Sequence, residues 1–237
     1  MGIKERQERD RESVRRAILD AARDLFVQDG FEQVSIRRIA ERIEYSPAAI
    51  YGYFPSKDDI FFALAEEGFA LLAGVQAAAP GRTGRAGTPL DHIRDTFWRF
   101  YVFSREHPQY FALMFVDRSV PRISREYERF AFAREMKAWL VTQVDEAVAA
   151  GLLPASSPPA VIFQLLTSAL IGIAVARLSD RLTSGDNADA LARDAIDVTL
   201  AGLRSVSSVH SSVPPCVHDD TRSSLLDPQL SSQESRS

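Results

Sequence analysis

The sequence predicts an all-α protein of about nine helices, a small N-terminal three-helix unit followed by a larger helical bundle. Two observations predict it. Almost no stretch alternates apolar and polar residues with a period of two, whereas apolar residues recur three and four apart nearly everywhere. Helix starts and stops also punctuate the chain, among them Ser46-Pro47, Ser56, His107-Pro108, Pro121, Gly151 with Pro154, and Gly185.

Val14, Ile18, Ala21 and Leu25, with Ala22 and Phe26, mark the buried stripe of a first helix over about residues 10–29. Gly30 follows where a left-handed C-cap is wanted. Ile36, Ile39, Ala40 and Ile43 give a short second helix. Ser46 caps a third, with Pro47 at its first position, and Pro55 ends it near Tyr53 by disfavouring helix at Phe54. Ser56, followed by Lys57, Asp58 and Asp59, opens a longer helix to about Ala79. A linker with three Gly and two Pro spans residues 80–89; no strand precedes it and no Gly-Lys-Ser/Thr follows, so it is not read as a phosphate cradle. Further helices are expected at about residues 90–107, 108–116, 122–150, 158–181 and 187–204. From Ser205 onward 11 of 33 residues are Ser and no period survives, which predicts a disordered tail over 205–237.

Composition narrows the function. The 237 residues carry a formal net charge of -4 and a single cysteine, Cys216, which excludes a disulfide-stapled scaffold and suits the cytoplasm. The N-terminus is charged and lacks the apolar stretch of a signal peptide. Residues 160–176 hold no charge, but Gln164, Thr167 and Ser168 interrupt the run; it reads as a helix buried on all sides, with no membrane partner. An acidic pI of about 5.6 argues against a binder of polyanions by bulk charge. Charge is uneven, however. Residues 1–60 hold 11 basic and 12 acidic side chains, yet residues 35–57 and 1–16 each sum to +2.

Two short helices joined by Glu44-Tyr45 after a longer one have the layout of a helix-turn-helix, whose second helix enters the DNA major groove. The third helix suits that role. Ala48 and Ala49 are small enough to let its backbone approach and can meet thymine methyls. Tyr51 and Tyr53 cannot both face a core already anchored by Ile50 and Phe54, so at least one hydroxyl points outward to reach phosphate. Ser46 and the helix N-terminus favour an anion. Ser35 stands at the start of the second helix, Arg37 and Arg38 project from its polar side, and Lys57 opens the next helix where a backbone contact would lie.

The runs Gly30-Phe31, Val34 to Arg42 and Ser46 to Lys57, with the Ile-Tyr-x-x-Phe-x-x-Lys pattern, resemble the N-terminal domain of TetR/AcrR-family transcriptional regulators. The resemblance covers about residues 10–65 and implies an all-helical homodimer, usually a repressor, released from operator DNA by a small ligand in the C-terminal domain. By position it implies that Arg37 touches a base or phosphate, that Tyr51 and Tyr53 touch backbone or base edges, and that Lys57 touches a phosphate. Two positions depart from the family pattern: Glu44 occupies the tight turn where Gly is usual, and Val34 replaces the usual hydroxyl residue. A non-Gly residue in the left-handed conformation costs roughly 1–2 kcal/mol.

Residues 97–132 hold 11 of the 22 aromatics, and Phe97, Trp98, Phe100, Tyr101 and Phe103 surround most of their helix. By itself this describes a large-residue core; with the resemblance it suggests a ligand pocket for an apolar or aromatic molecule within residues 66–204. Its expected lining is Phe97, Trp98, Tyr101, Tyr110, Phe111, Met114, Phe130, Phe163, Gln164 and Thr167. Gln164 and Thr167 remain open between pocket and interface. Ile162, Leu166, Leu170, Ile173, Leu191, Ala195 and Val198 supply apolar stripes for a four-helix dimer interface, which implies a roughly palindromic operator.

No HExxH, Gly-x-Ser-x-Gly or paired acids on an apolar face point to an enzyme, and no cofactor is expected. His210, Cys216, His218, Asp219 and Asp220 are ligand types without finger spacing, so no metal site is expected. An architectural or activating DNA-binding protein without ligand control is the alternative.

Overall fold

The computed structural model describes residues 2–77, 87–117, 120–121, 131–183 and 187–205. Among them are nine helices and no strand: α1 (Ile3–Asp29), α2 (Ile36–Arg42), α3 (Pro47–Tyr51), α4 (Lys57–Ala77), α5 (Pro89–Glu106), α6 (Pro108–Phe115), α7 (Ala131–Ala149), α8 (Pro159–Leu178) and α9 (Ala188–Ser205). Most of the expected linker, residues 122–130 with Phe130, and the tail with its His and Cys residues lie outside the described residues.

Local chemistry sets the helix starts. The hydroxyls of Ser35 and Ser46 accept from the amides of Arg38 and Ala49, each at 3.2 Å, and Ser56 does the same for Asp59 at 3.1 Å. Thr88 and Asp91 form a reciprocal capping box at the start of α5. α1 begins about two turns earlier than its apolar stripe indicated, because residues 4–13 are polar, exposed and held by local bonds such as Gly2 N to Glu5 at 3.0 Å. An apolar period cannot mark a helix that buries nothing.

The first of two apolar cores joins α1–α4 to α6: Ile18, Phe26, Ile39, Ile50 and Phe61 share it with Phe111 and Leu113. The expected domain boundary at residues 65/66 therefore falls inside α4, whose two halves serve both units. Gly68 makes this possible, since a Cβ there would stand 2.3 Å from Met114 Sδ. The second core lies among α5, α7, α8 and α9, with Tyr101, Leu140, Ile162, Leu166, Leu170 and Ile196 at its centre.

That second core corrects the expected dimer face. Ile162, Leu166 and Leu170 are fully buried within the chain, against α5 and α9, and Ile173 is half-buried beside them. The three fully buried residues have no surface left to offer a partner. α8 is apolar on every side, so its sequence could not say which stripe the protomer consumes. The outward stripe instead carries Leu165, 45% exposed, with Ser168 and Gly172, while on α9 Leu191 and Val198 are exposed and Ala195 is half-buried. By length and composition α4 and α8 could each cross a membrane, yet both contribute to these cores.

Candidate functional site

Ile39, Ala40 and Ile50 are fully buried and lock α2 to α3, with Val34 and Phe54 closing the ends of the unit. The turn between them bends at Glu44, whose φ of 60° places it in the left-handed region; Tyr45 N then donates to Ala40 O at 2.9 Å. The turn keeps the tight geometry, and Glu44 bears the strain.

Packing of one side leaves the other outward. Ala48 is exposed, Ala49 half-buried, and Tyr51 is 55% exposed; Arg37 is exposed and donates to Glu41 at 2.9 Å. Tyr53 is half-buried against the core, under the Arg11 guanidinium at 5.8 Å. Of the two tyrosines, Tyr51 is thus the one presented to solvent. Ser35 and Ser46 spend an oxygen lone pair on capping and retain a hydroxyl proton to donate. Lys57 is placed differently from a free surface cation: its ammonium donates to Phe31 O at 2.8 Å and sits 4.1 Å from the centre of the Phe31 ring. Arg38 pairs with Asp29 at 2.9 Å.

The start of α1 lies beside this face. Gln7, Asp10, Arg11 and Val14 line a surface groove of about 490 Å³ with Tyr45, Gly52 and Tyr53, so α1 flanks the outward face of α3. The +2 charge of residues 1–16 was the available signal.

The second site is an apolar cavity of about 50 Å³ lined by five helices. Phe69, Leu72 and Gln76 come from α4; Thr96, Phe97 and Phe100 from α5; Phe115 from α6; Met136 from α7; Phe163 and Thr167 from α8. Phe97, Phe163 and Thr167 were expected there. Tyr110, Phe111 and Met114 instead pack into the first core, and Tyr101 and Trp98 belong to the second. The Tyr101 hydroxyl donates to Asp189 at 3.0 Å, and burial followed by this bond pushes its pKa up to about 12. Trp98 lies under the Arg193 guanidinium at 4.1 Å. Gln164 is exposed and donates to Ser168 at 3.0 Å, which settles it outside the cavity. Gln76 was missed although its position was readable: Phe69, Leu72 and Gln76, at i, i+3 and i+7, share one face of α4.

The cavity and the α1–α3 unit are physically joined. Arg16 of α1 donates to both oxygens of Glu67 on α4, at 2.5 and 2.7 Å, and this bond holds the Glu67 carboxyl below its ordinary range against the effect of burial. Tyr110 of α6 bonds to Glu67 and accepts from Arg23 of α1 at 3.5 Å. Phe31 N donates to Asp117, just past α6, at 3.4 Å. Helices that wall the cavity thus also carry the contacts that seat α1.

The sequence profile of bacterial regulatory proteins of the tetR family matches residues 18–64, and that of the tetracyclin repressor-like C-terminal domain matches residues 96–199. The HTH-type transcriptional repressor Rv1474c of Mycobacterium tuberculosis is 43% identical over 79 residues, which span 33% of this chain and 40% of that protein. The match covers less than half of that relative's length. Among solved structures, transcriptional regulator FadR of Bacillus subtilis in complex with stearoyl-CoA aligns at a TM-score of 0.63 and 14% identity, over 78% of this chain and 97% of that one. A SmeT–triclosan complex aligns at 0.60 and 22% identity, over 85% and 97%. Both likenesses are of fold. With an N-terminal helix-turn-helix and a C-terminal helical bundle each matched in its own right, the chain belongs to the TetR family of bacterial transcriptional regulators.

Proposed function

We propose that the protein is a cytoplasmic repressor that binds a roughly palindromic operator as a homodimer and is released by a small apolar effector in the cavity. The observation that carries this reading is the shared use of α4 and α6. Phe69, Leu72, Gln76 and Phe115 wall the cavity, while Glu67 and Tyr110 on the same two helices hold α1. An occupant that spreads these walls shifts the seat of the recognition unit. Release follows only if the effector binds the DNA-free arrangement better than the DNA-bound one.

In this reading residues 10–65 read DNA and residues 66–204 hold the effector and the dimer face. Ala48, Ala49 and Tyr51 enter the major groove. Arg37, Tyr53, Ser35, Ser46 and Lys57 meet the backbone at its rim. The outward faces of α8 and α9, with Leu165, Leu191 and Val198, pair with a second copy so that two α3 helices meet half-sites about one DNA turn apart. The relatives support it by name: one is a repressor, and one fold neighbour was solved with triclosan.

Sequencing of genomic fragments retained by the purified protein tests this directly. Enrichment of one palindromic sequence is the expected result; retention of many unrelated fragments, unaffected by any added compound, favours the architectural alternative.

A further inference from the structure

The cavity has one polar pole. Gln76, 2% exposed, donates through Nε2 to the Thr96 backbone carbonyl at 2.8 Å. A carbonyl oxygen cannot donate, so this bond fixes the amide and leaves Oε1 as the free end. Gln76 Oε1 and the Oγ1 of Thr96, 3% exposed, are both buried without a hydrogen-bond partner. Buried polar atoms are normally paired, and an unpaired set lining an apolar cavity marks where a ligand group completes the bonding. Gln76 Oε1 only accepts, whereas a threonine hydroxyl both donates and accepts. No ionisable side chain is among the ten lining residues; the rest of the wall is aromatic and aliphatic, apart from Thr167.

We infer that the effector is an uncharged, largely apolar molecule bearing one hydroxyl, such as a phenol or alcohol, which donates to Gln76 Oε1 and accepts from Thr96 Oγ1. One neutral hydroxyl satisfies both orphaned atoms. A carboxylate presents only acceptors to Gln76 Oε1 and is buried without a counter-charge; an ammonium lacks an anionic partner. The walls must also yield. A dry cavity of about 150 Å³ holds one benzene ring, three times the 50 Å³ present here. Met136, unbranched and adaptable, and Phe115 on α6 are the wall residues suited to move.

The inference rests on the cavity being the effector site, and the experiment separates the two. Calorimetric titration of the full chain uses four toluenes that differ only at the para position: para-cresol, para-methylanisole, para-xylene and para-toluate. Para-cresol is expected to bind about fivefold to tenfold tighter than para-methylanisole or para-xylene, the worth of one to two net hydrogen bonds. Para-toluate is expected to give no heat. Gln76→Leu and Thr96→Val should each erase the advantage of para-cresol while preserving the binding of para-xylene, which shows that the cavity still folds. Equal binding of para-cresol and para-methylanisole, binding of para-toluate, an advantage that survives both substitutions, or no binding by any of the four overturns the inference. Operator affinity is then read by fluorescence anisotropy: if para-cresol binds selectively yet leaves it unchanged, the hydroxyl selectivity stands and the effector reading falls.

Discussion

The Arg16 guanidinium on α1 and the Glu67 carboxylate on α4 form a two-pronged ion pair, at 2.5 and 2.7 Å, across the seam between recognition unit and bundle. Both side chains are partly exposed, so the pair is worth only about 1 kcal/mol despite its geometry. Glu67→Gln should lower unfolding stability by about that amount at pH 7. Its folded pKa lies below the ordinary value of 4.5, so the contribution is present above that value and is lost as pH falls through the lower folded one. Urea unfolding at pH 7 and pH 3 measures it. A difference between parent and variant that is the same at both values would contradict the pairing.

Strain at Glu44 gives a test of opposite sign. With φ at 60° the residue bears a left-handed penalty that Gly does not. Glu44→Gly relieves roughly 1–2 kcal/mol but frees the unfolded chain by about 0.4–1 kcal/mol, leaving a net stabilisation of about 0.5–1 kcal/mol. Glu44→Ala retains the strain and should leave stability unchanged within about 0.3 kcal/mol. Thermal unfolding of the pair distinguishes them, and equal shifts would refute the assignment.

Gly68 and Met114 should couple. A methyl at Gly68 meets Met114 Sδ at 2.3 Å and Tyr110 Cδ1 at 3.2 Å, so Gly68→Ala overpacks the α4–α6 contact at a cost of about 1–3 kcal/mol. Ala in place of Gly inside a helix contributes roughly 1 kcal/mol the other way. Net destabilisation is therefore expected in the parent, and a smaller cost or a net gain in a Met114→Ala background, where only the 3.2 Å approach to Tyr110 Cδ1 remains. A double-mutant cycle showing additive effects would remove the contact from the account.

The helices and the recognition unit were readable because both rest on local rules. Caps at Ser35 and Ser46 and the Ile39/Ile50 packing are short-range consequences of sequence, and they appear where expected. Non-local partnerships were not. Lys57 reads as an exposed cation until the carbonyl of Phe31, 26 residues away, accepts its hydrogen bond. Tyr101 reads as pocket lining until α9 brings Asp189 to its hydroxyl, and on α8 the choice between two apolar stripes was made by α5 and α9. Gln76 could have been found as the one polar residue on its cavity-facing stripe.

Tyr51 and Lys57 should therefore separate in a way their shared motif hides. Tyr51 is more than half exposed, so Tyr51→Ala should weaken operator binding about tenfold or more while melting temperature stays within about 2 °C. Lys57→Ala should lower both, because the Phe31 carbonyl loses a charged donor and the ring its cation, together about 1–2 kcal/mol. Lys57→Arg should recover more of the stability than Lys57→Met. Melting curves and anisotropy titrations decide it; a Lys57→Ala protein of unchanged stability would sever the tie to Phe31.

Salt dependence reports how many cations are left for phosphate. Arg37 is paired with Glu41, Arg38 with Asp29, and Lys57 bonds to Phe31, whereas Arg42 is exposed with no ion pair among the described residues. Opening the exposed Arg37–Glu41 pair costs about 1 kcal/mol or less, so Arg37 remains available to DNA. With Arg37, Arg42 and at most one further cation, each protomer of the proposed dimer is expected to neutralise about two or three phosphates. The logarithm of the operator affinity of a dimer should then fall with the logarithm of salt at a slope of about -4 to -5. Arg42→Ala in both protomers should reduce the slope by about 2, while Arg38→Ala should leave it nearly unchanged. A slope near -9 would mean that the first turns of α1, with their own +2 charge, also lie on the DNA backbone.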